Sequence, residues 1–206
     1  MRRAIALACL ALTALAHAEQ DSDNNTAGGL NVSVQLRHRV VIPRILYFRV
    51  GNATFGSVDE VQFDIAASPG YTTGTITQSS TDIPLGNSSP IEATSNGTLD
   101  VDIRSNVGTV NISYTVSDPQ GLADGSGNFI PFGQIETQAS DAGLPAPVLD
   151  NAGAPAGSAN SVDVTGNLYG GRVVNRQATW TYVYLNELTP MAGTYEGRVT
   201  YTASAP

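Results

Sequence analysis

The sequence contains no lysine, and its one cysteine, Cys9, lies in an apolar run near the N-terminus. Beyond that run no intramolecular disulfide is possible, so the fold must be held together by its hydrophobic core. A chain of this length can build such a core unaided. The absence of lysine also excludes Lys–Asn isopeptide cross-links, and no LPxTG-type sorting signal is present. Both absences favour a Gram-negative envelope over a Gram-positive one.

Basic charge is scarce as well. All ten basic residues are arginines, and they stand against eighteen acidic residues. Without Arg2 and Arg3, which belong to the N-terminal run, residues 19–206 carry a net charge of −10. An acidic surface repels phosphate groups and anionic lipid, so the composition disfavours nucleic acid and membrane surfaces as partners.

Histidine is nearly absent, since His38 is the one histidine beyond residue 18. A zinc site needs three or four nitrogen, sulfur or carboxylate ligands, and the usual sets cannot be assembled from this composition. The sequence has no HExxH, GxSxG or phosphate-binding glycine motif. His38 lies between Arg37 and Arg39 on the apolar phase of a predicted strand, where a half-buried structural histidine is the simpler interpretation. We therefore predict a protein that is not an enzyme and holds no cofactor.

Two polar groups remain as candidate sites. Asp100 and Asp102 share one face of a predicted strand about 6.6 Å apart, a spacing that could suit glycoside hydrolysis, although outward acidic residues on a strand are routine. Asp124, Ser126 and Asn128 place oxygen atoms at alternate positions, as calcium-binding loops do. A Gly/Asp/Asn turn without metal explains the same residues and is the preferred interpretation.

Residues 1–18 have the pattern of an export signal. Arg2 and Arg3 precede an uncharged apolar stretch, and Ala16 and Ala18 supply small residues at the positions that signal peptidase reads. The stretch is shorter than the roughly 20 residues of a membrane-spanning helix. We predict cleavage before Glu19, a polar leader over residues 19–29 and no membrane span. The expected location is the periplasm, the cell surface or an extracellular filament.

Beyond the leader, apolar and polar residues alternate with a period of two, which is typical of strands with one buried face. Threonine, valine and tyrosine are frequent, as suits a pleated and half-buried surface. No segment has helical periodicity. The predicted strands lie at residues 30–42, 46–50, 61–65, 99–103, 110–116, 178–184 and 195–201.

Between these strands lies a segment rich in glycine and proline, with ten glycines and five prolines in residues 119–171. Only residues 129–137 have strand-like character within it, and a long loop of this kind is often functional or disordered. Many short strands without helices predict an antiparallel β-sandwich. The predicted architecture is one all-β, immunoglobulin-like sandwich domain over residues 30–206, with residues 119–171 as an elaborate insertion.

The two ends of this predicted domain resemble a known class of proteins. Residues 178–182, ATWTY, and residues 192–202, AGTYEGRVTYT, are similar to the closing strands of pilin-like, immunoglobulin-type subunits of bacterial fimbriae. The same ending resembles the tail of WxL-type surface domains. The resemblance covers about thirty residues at each end of the chain that follows the export signal. It implies an exported structural or adhesive subunit of a cell-surface filament or envelope assembly.

The resemblance also implies a mechanism of assembly. In chaperone–usher pili, the N-terminal extension of one subunit completes the sandwich of the next, and alternate side chains fill pockets. The side chains that would be inserted here are those of Leu30, Val32, Val34, Leu36 and Val40. Residues 30–42 could instead be the first strand of their own domain. The implied partners are other copies of the chain or sister subunits, and the need for a periplasmic assembly chaperone is left open.

A second function fits the same composition. A monomeric, exported module that binds carbohydrate or another surface ligand would use exposed aromatic side chains. Phe129, Phe132 and Tyr169 in the glycine- and proline-rich segment are the candidates. Core packing or anchoring of the loop is the commoner role for each of them.

Overall fold

The computed structural model describes residues 21–24, 28–52, 58–65, 86 and 88–206. The predicted export signal and part of the leader lie outside these residues. The described part is almost entirely β, with short 3-10 turns at Phe132–Gln134 and Tyr169–Gly171. Its strands are β1 Leu46–Val50, β2 Ile91–Glu92, β3 Thr98–Ser105, β4 Val110–Val116, β5 Leu122–Ala123, β6 Phe129–Ile130, β7 Ile135–Ala139, β8 Val162–Val164, β9 Val174–Tyr184 and β10 Val199–Ser204.

The larger sheet has five strands, with the long strand β9 in the middle. Strands β3 and β7 both oppose Trp180, so they occupy opposite edges of β9. Strands β2 and β7 both oppose Tyr184, so β2 continues the line of β3. β1 pairs with the outer edge of β3. The order across the sheet is therefore β1, then β3 and β2 in line, then β9 and finally β7.

The smaller sheet has three strands in the order β10, β4, β8, and β5 and β6 form a separate two-stranded pair. All the strand pairings of the described residues are antiparallel. This confirms the predicted antiparallel, nearly all-β class.

Both larger sheets bury side chains in one hydrophobic cluster. Residues at alternate positions of β3 and β9 meet residues at alternate positions of β4, β8 and β10. This arrangement is compatible with a β-sandwich, in which the inner faces of two sheets form the core. The buried members are Val101, Ile103, Val110, Ile112, Leu144, Val164, Val174, Trp180 and Tyr182.

The glycine- and proline-rich segment is part of this core. Leu144 and Ala154 are fully buried, and Phe132 and Leu149 are nearly so. The segment also contains strands β5 to β8, of which composition predicted only the region of β6 and β7. Glycine and proline here shape a path that packs against the sheets, and their density does not mark a surface loop.

Tyr114 of β4 fixes the path of this segment. Its hydroxyl donates a hydrogen bond to the Val148 carbonyl at 2.8 Å and accepts one from the Asp150 amide at 2.6 Å. Buried backbone groups without a strand partner need such partners. A strand tyrosine therefore satisfies backbone groups that the irregular segment cannot pair within itself.

Residues 61–65 do not form the predicted strand. Gln62 makes one isolated bridge to Ser95, and Val61 and Phe63 are half-buried against the core. The alternation therefore predicted correctly which side chains face the core, although these residues form no ladder of strand hydrogen bonds. A strand also needs a continuous partner, and here the partner is the turn between β2 and β3.

The chain divides into two units at the boundary between Ile42 and Pro43. The unit that holds the described strands starts at Pro43, whereas the sequence predicted a β domain that starts at residue 30. Residues 28–45 contain no strand. Their alternating pattern marked a segment able to form a strand, and such a pattern does not reveal whether a partner edge lies within the same domain.

The role of the glycine- and proline-rich segment can be tested by replacing Leu144 with alanine. Because the Leu144 side chain is 0% exposed, we expect this change to lower the free energy of unfolding by about 2–5 kcal/mol, measured by urea denaturation. Val148 in the same segment is 70% exposed, so Val148→Ala should change it by less than about 0.5 kcal/mol. Equal effects of the two substitutions would show that the segment is not part of the core.

Candidate functional site

Residues 30–42 expose the apolar side chains that the sequence singled out. These residues lie outside any strand, although their sequence alternates as strands do. Isolated apolar residues on a surface are ordinary, whereas a contiguous exposed apolar patch is typical of an interaction site. The exposed fractions are 63% for Leu30, 49% for Val32, 63% for Val34, 79% for Leu36 and 83% for Val40.

The backbone at the start of the β unit is held firmly. The Asn106 side chain accepts a hydrogen bond from the Ile45 amide at 2.8 Å and donates one to the Pro43 carbonyl at 2.8 Å. Pro43 itself has no amide hydrogen to extend a ladder. These contacts hold the first residues of the β unit against the turn that contains Asn106.

Strand β10 has one open edge. Tyr114 of β4 exchanges both backbone hydrogen bonds with Ala154, each at 3.0 Å. Tyr201 of β10 opposes Tyr114 but cannot share those bonds, so its N–H and C=O point away from β4. The hydrogen bond from the Ser117 amide to the Arg198 carbonyl at 2.9 Å fits the same alternation, because residue 198 is the residue before Val199 and its backbone points toward β4. Residues 199, 201 and 203 therefore direct their backbone groups to an edge without a strand partner in the described part of the chain.

Strand β1 has a second open edge by the same reasoning. The Gly51 amide bonds to Asp100, and the Asn106 amide bonds to Ile45. Between these two hydrogen bonds, the residues of β1 whose backbone groups bond to β3 are therefore Tyr47 and Arg49. The backbone N–H and C=O groups of Leu46, Phe48 and Val50 thus point outward along the edge. No strand among the described residues pairs with them.

The side chains under these two edges are incompletely covered. Phe48 and Val50 of β1 and Tyr201 and Ala203 of β10 pack against the main core but are only half-buried. The strands β1 and β10 approach one another without forming a ladder between them. On this side, both sheets therefore end in backbone groups that no described residue pairs with in a strand, and these groups lie above partly exposed core residues.

The loop that contains the calcium candidates is closed by its own hydrogen bonds. One Asp124 oxygen accepts the amides of Ser126 at 2.7 Å and Asn128 at 3.0 Å, and the other accepts the Asn128 side-chain amide at 2.7 Å. The Asn128 and Ser126 bonds lower the pKa of Asp124. The structure thus brings the predicted residues together through N–H donors directed at the carboxylate. Among the described residues, no group of three or more His, Cys, Asp or Glu side chains could hold a metal ion.

The two carboxylates of β3 have different surroundings. Asp102 is buried and accepts a two-point hydrogen bond from Arg104, at 3.1 and 2.8 Å, and a third bond from Gln177 at 3.1 Å. Burial raises the pKa of Asp102, but the bonds from Arg104 and Gln177 and the charges of Arg104 and Arg49 outweigh burial and hold it below its usual value. Asp100 is exposed. An ionised and fully bonded Asp102 is a structural carboxylate and is poorly suited to donate a proton.

The remaining sequence candidates occupy different environments. Phe132 is 1% exposed and belongs to the core, and Phe129 is half-buried in β6. Tyr169 is 82% exposed at the tip of a loop. His38 is exposed within residues 30–42. Of the three aromatic candidates, only Tyr169 is therefore presented to solvent as a binding module would require.

The sequence has no match among protein-family models or among curated proteins. Within the described residues, no helix is long and apolar enough to cross a membrane.

The open edges of β1 and β10 were not predicted from the sequence. Both strands have the alternating pattern of paired strands, because the pattern records which side chains face the core. Whether an edge is paired depends on the strand order of the folded sheet. No local signal in these residues distinguishes an edge strand from a central one.

The contribution of the Asp102 carboxylate can be tested by pH. Its folded pKa lies below the ordinary value of about 3.9, so its stabilising effect is complete above that value and is lost as the pH falls through the folded pKa. We expect Asp102→Asn to lower the free energy of unfolding at pH 7 by about 1–2 kcal/mol. The difference from the wild type should shrink below about pH 4.

The exposed Asp100 provides the matched control. Asp100→Asn should change the free energy of unfolding at pH 7 by less than about 0.5 kcal/mol. A wild-type advantage over Asp102→Asn that persists undiminished to about pH 2 would contradict an ionic role for Asp102.

Proposed function

We propose that this protein is an exported structural or adhesive subunit of a cell-surface filament or envelope assembly, in which residues 30–42 of one subunit add a strand to the next. The proposal includes an immunoglobulin-type sandwich and a non-enzymatic role. The observation that carries it is the combination of an exposed alternating apolar segment with sheet edges that have no partner strand among the described residues.

The apolar segment supplies a driving force for association. Leu30, Val32, Val34, Leu36 and Val40 are each about half exposed or more. Complete burial of one such side chain contributes about 1.5–3 kcal/mol. Ordering the chain opposes this gain by about 1–2 kcal/mol per residue. Main-chain hydrogen bonds to a partner strand are therefore needed as well, and an open edge offers them.

The β10 edge suits such a strand in length and chemistry. The strand has six residues, which span about 20 Å, and residues 30–36 span about 23 Å when extended. Its outward backbone groups at 199, 201 and 203 can pair with an added strand by β-augmentation. The alternate side chains of that strand would then cover the half-buried Tyr201 and Ala203.

An uncovered edge is hazardous for an exported protein. Edge strands with unpaired backbone groups promote aggregation unless they are short, charged or covered. The exposed side chains of β10 are those of Thr200, Thr202 and Ser204, and all three are uncharged. Specific coverage by residues 30–42 of a neighbouring subunit turns this liability into a defined contact.

The second candidate function is that of a monomeric, exported module that binds carbohydrate or another surface ligand. Tyr169 favours it, because this side chain is 82% exposed and is held at a loop tip. Such a module does not require association between copies. The oligomeric state therefore distinguishes the two functions.

If residues 30–42 are donated as a strand, a charged side chain should prevent assembly at every second position and should be tolerated at the positions between. Val34→Asp places a carboxylate among the inserted side chains and should leave the protein monomeric. Ser33→Asp adds the same charge on the opposite face and should leave assembly intact. Size-exclusion chromatography with light scattering on the mature chain measures both.

A second variant tests the acceptor edge. The Ala203 amide does not bond to β4, so Ala203→Pro removes an edge donor while sparing the ladder within the subunit, as edge prolines can. It too should be monomeric. Mixed with Val34→Asp it should form a dimer, because one variant retains a working donor and the other a working acceptor.

The contrary outcomes are equally clear. Identical oligomeric states for Val34→Asp and Ser33→Asp, or a wild type that stays monomeric at all concentrations, would overturn strand donation. A monomeric wild type that loses stability upon Val34→Asp would show that residues 30–42 are a strand of their own domain. The binding-module function would then take precedence.

A further inference from the structure

One end of the five-stranded sheet gathers exposed side chains from three strands. The register places Tyr47 of β1 beside Arg104 of β3, and Arg104 beside Asn175 of β9. Side chains directly opposite one another in a sheet lie on the same face. All three are exposed, so this row lies on the outer face of the sheet.

Turns and loops extend the row beyond the ends of the strands. The Asn106 side chain holds Ile45, and the Gly108 amide donates to the Arg172 carbonyl at 3.0 Å. The Asn167 side chain bonds to both backbone groups of Asn175, each at 2.9 Å. Residues 43–47, 104–108 and 166–175 therefore meet at this end of the sheet.

These three segments carry an unusual charge. They contain Arg44, Arg104 and Arg172 and no acidic residue, in a chain with ten basic and eighteen acidic residues overall. All three arginines are exposed. Asp102 lies next to these segments and offsets the charge of Arg104, so Arg44 and Arg172 give this end of the sheet its net positive charge. A local positive patch on an acidic protein raises the local concentration of anionic ligands.

Arg104 is oriented to receive an anion. Its Nε and Nη2 atoms bond to Asp102, which leaves the Nη1 group and one Nη2 hydrogen directed elsewhere. The Arg104 side chain is 56% exposed, whereas that of Asp102 is 7% exposed. The planar guanidinium is thereby fixed with its outer donors available, and carboxylates match such donors in pairs.

Two exposed tyrosines, Tyr47 and Tyr169, belong to the segments that carry these arginines. The Tyr47 ring lies 6.0 Å from the Arg104 guanidinium, and these two side chains line an open surface pocket of about 310 Å³ together with Ile45 and Asp102. Tyr169 has φ of 50°, a left-handed conformation that is uncommon outside glycine and asparagine. Strained backbone persists where surrounding contacts hold it, and it clusters at ligand contacts.

We propose that the Arg–Tyr patch, formed by Arg44, Tyr47, Arg104, Tyr169 and Arg172, binds a carboxylated glycan. The arginines bind the carboxylates of successive sugars, and the tyrosine rings pack against the apolar faces of the sugar rings. The site lies on the outer face of the five-stranded sheet. It uses none of the backbone groups of β10, so it stands independently of strand donation.

The test uses the mature chain and oligogalacturonate, with binding measured by isothermal titration calorimetry. The methyl ester of the same oligosaccharide is the neutral probe, and double-stranded DNA is the general polyanion. We expect oligogalacturonate to bind and its methyl ester to bind at least tenfold more weakly. DNA should bind no better than the ester, since it lacks carboxylates and sugar faces that can stack.

Variants assign the binding to the patch. Arg172→Gln and Tyr169→Asn should each weaken oligogalacturonate binding at least fivefold, and asparagine suits the left-handed backbone at 169. Arg198→Gln removes the same charge from an exposed position directly before β10 of the other sheet and should change binding less than twofold. Equal binding of ester or DNA, or equal effects of Arg172→Gln and Arg198→Gln, would overturn the proposal.

Discussion

The fold depends on the environment of Trp180 in the central strand β9. Its indole N–H donates to the Leu144 carbonyl at 3.2 Å, and its ring packs edge-on against Tyr201 at 5.2 Å between centroids. One buried side chain therefore joins the five-stranded sheet, the glycine- and proline-rich segment and the final strand β10. Aromatic pairs of this kind add about 0.5–1.5 kcal/mol beyond burial. The indole also gives a buried carbonyl its partner, which an apolar residue could not do.

The strands that the sequence predicted well are those with several alternating residues in one uninterrupted run. Strands β3 and β4 are of this kind, because each buries one face against a common core. Strands β5 and β8 were missed, since two or three residues are too few to show a period. The burial of Leu144 was equally inaccessible from the sequence. It depends on Trp180, which lies 36 residues away along the chain, and composition records no such contact.

The candidate site, too, has one part that the sequence predicts and another part that it does not. Alternation identified Leu30 to Val40 as side chains that would act together, because it depends on the two-residue period of an extended chain alone. The edge of β10 that has no partner strand among the described residues depends on strand order and on the backbone hydrogen bonds that Tyr114 exchanges with Ala154. The Arg–Tyr patch is further removed from any sequence pattern, since register brings together residues from three distant segments. Side-chain pattern thus predicts a possible donor, whereas an acceptor emerges from topology.

The two proposed surfaces reinforce one another without sharing atoms. Strand donation uses backbone groups at the β10 edge, whereas the Arg–Tyr patch uses side chains on the outer face of the other sheet. An exposed patch with little enclosure binds a single glycan weakly, because most of the ligand stays in water. A filament built by strand donation would repeat the patch once in each subunit. A polysaccharide that spans several subunits would then gain avidity of 10²–10⁴-fold or so without any new contact. Polymerisation would convert a weak site into an adhesive surface, which gives the structural and adhesive roles one physical origin.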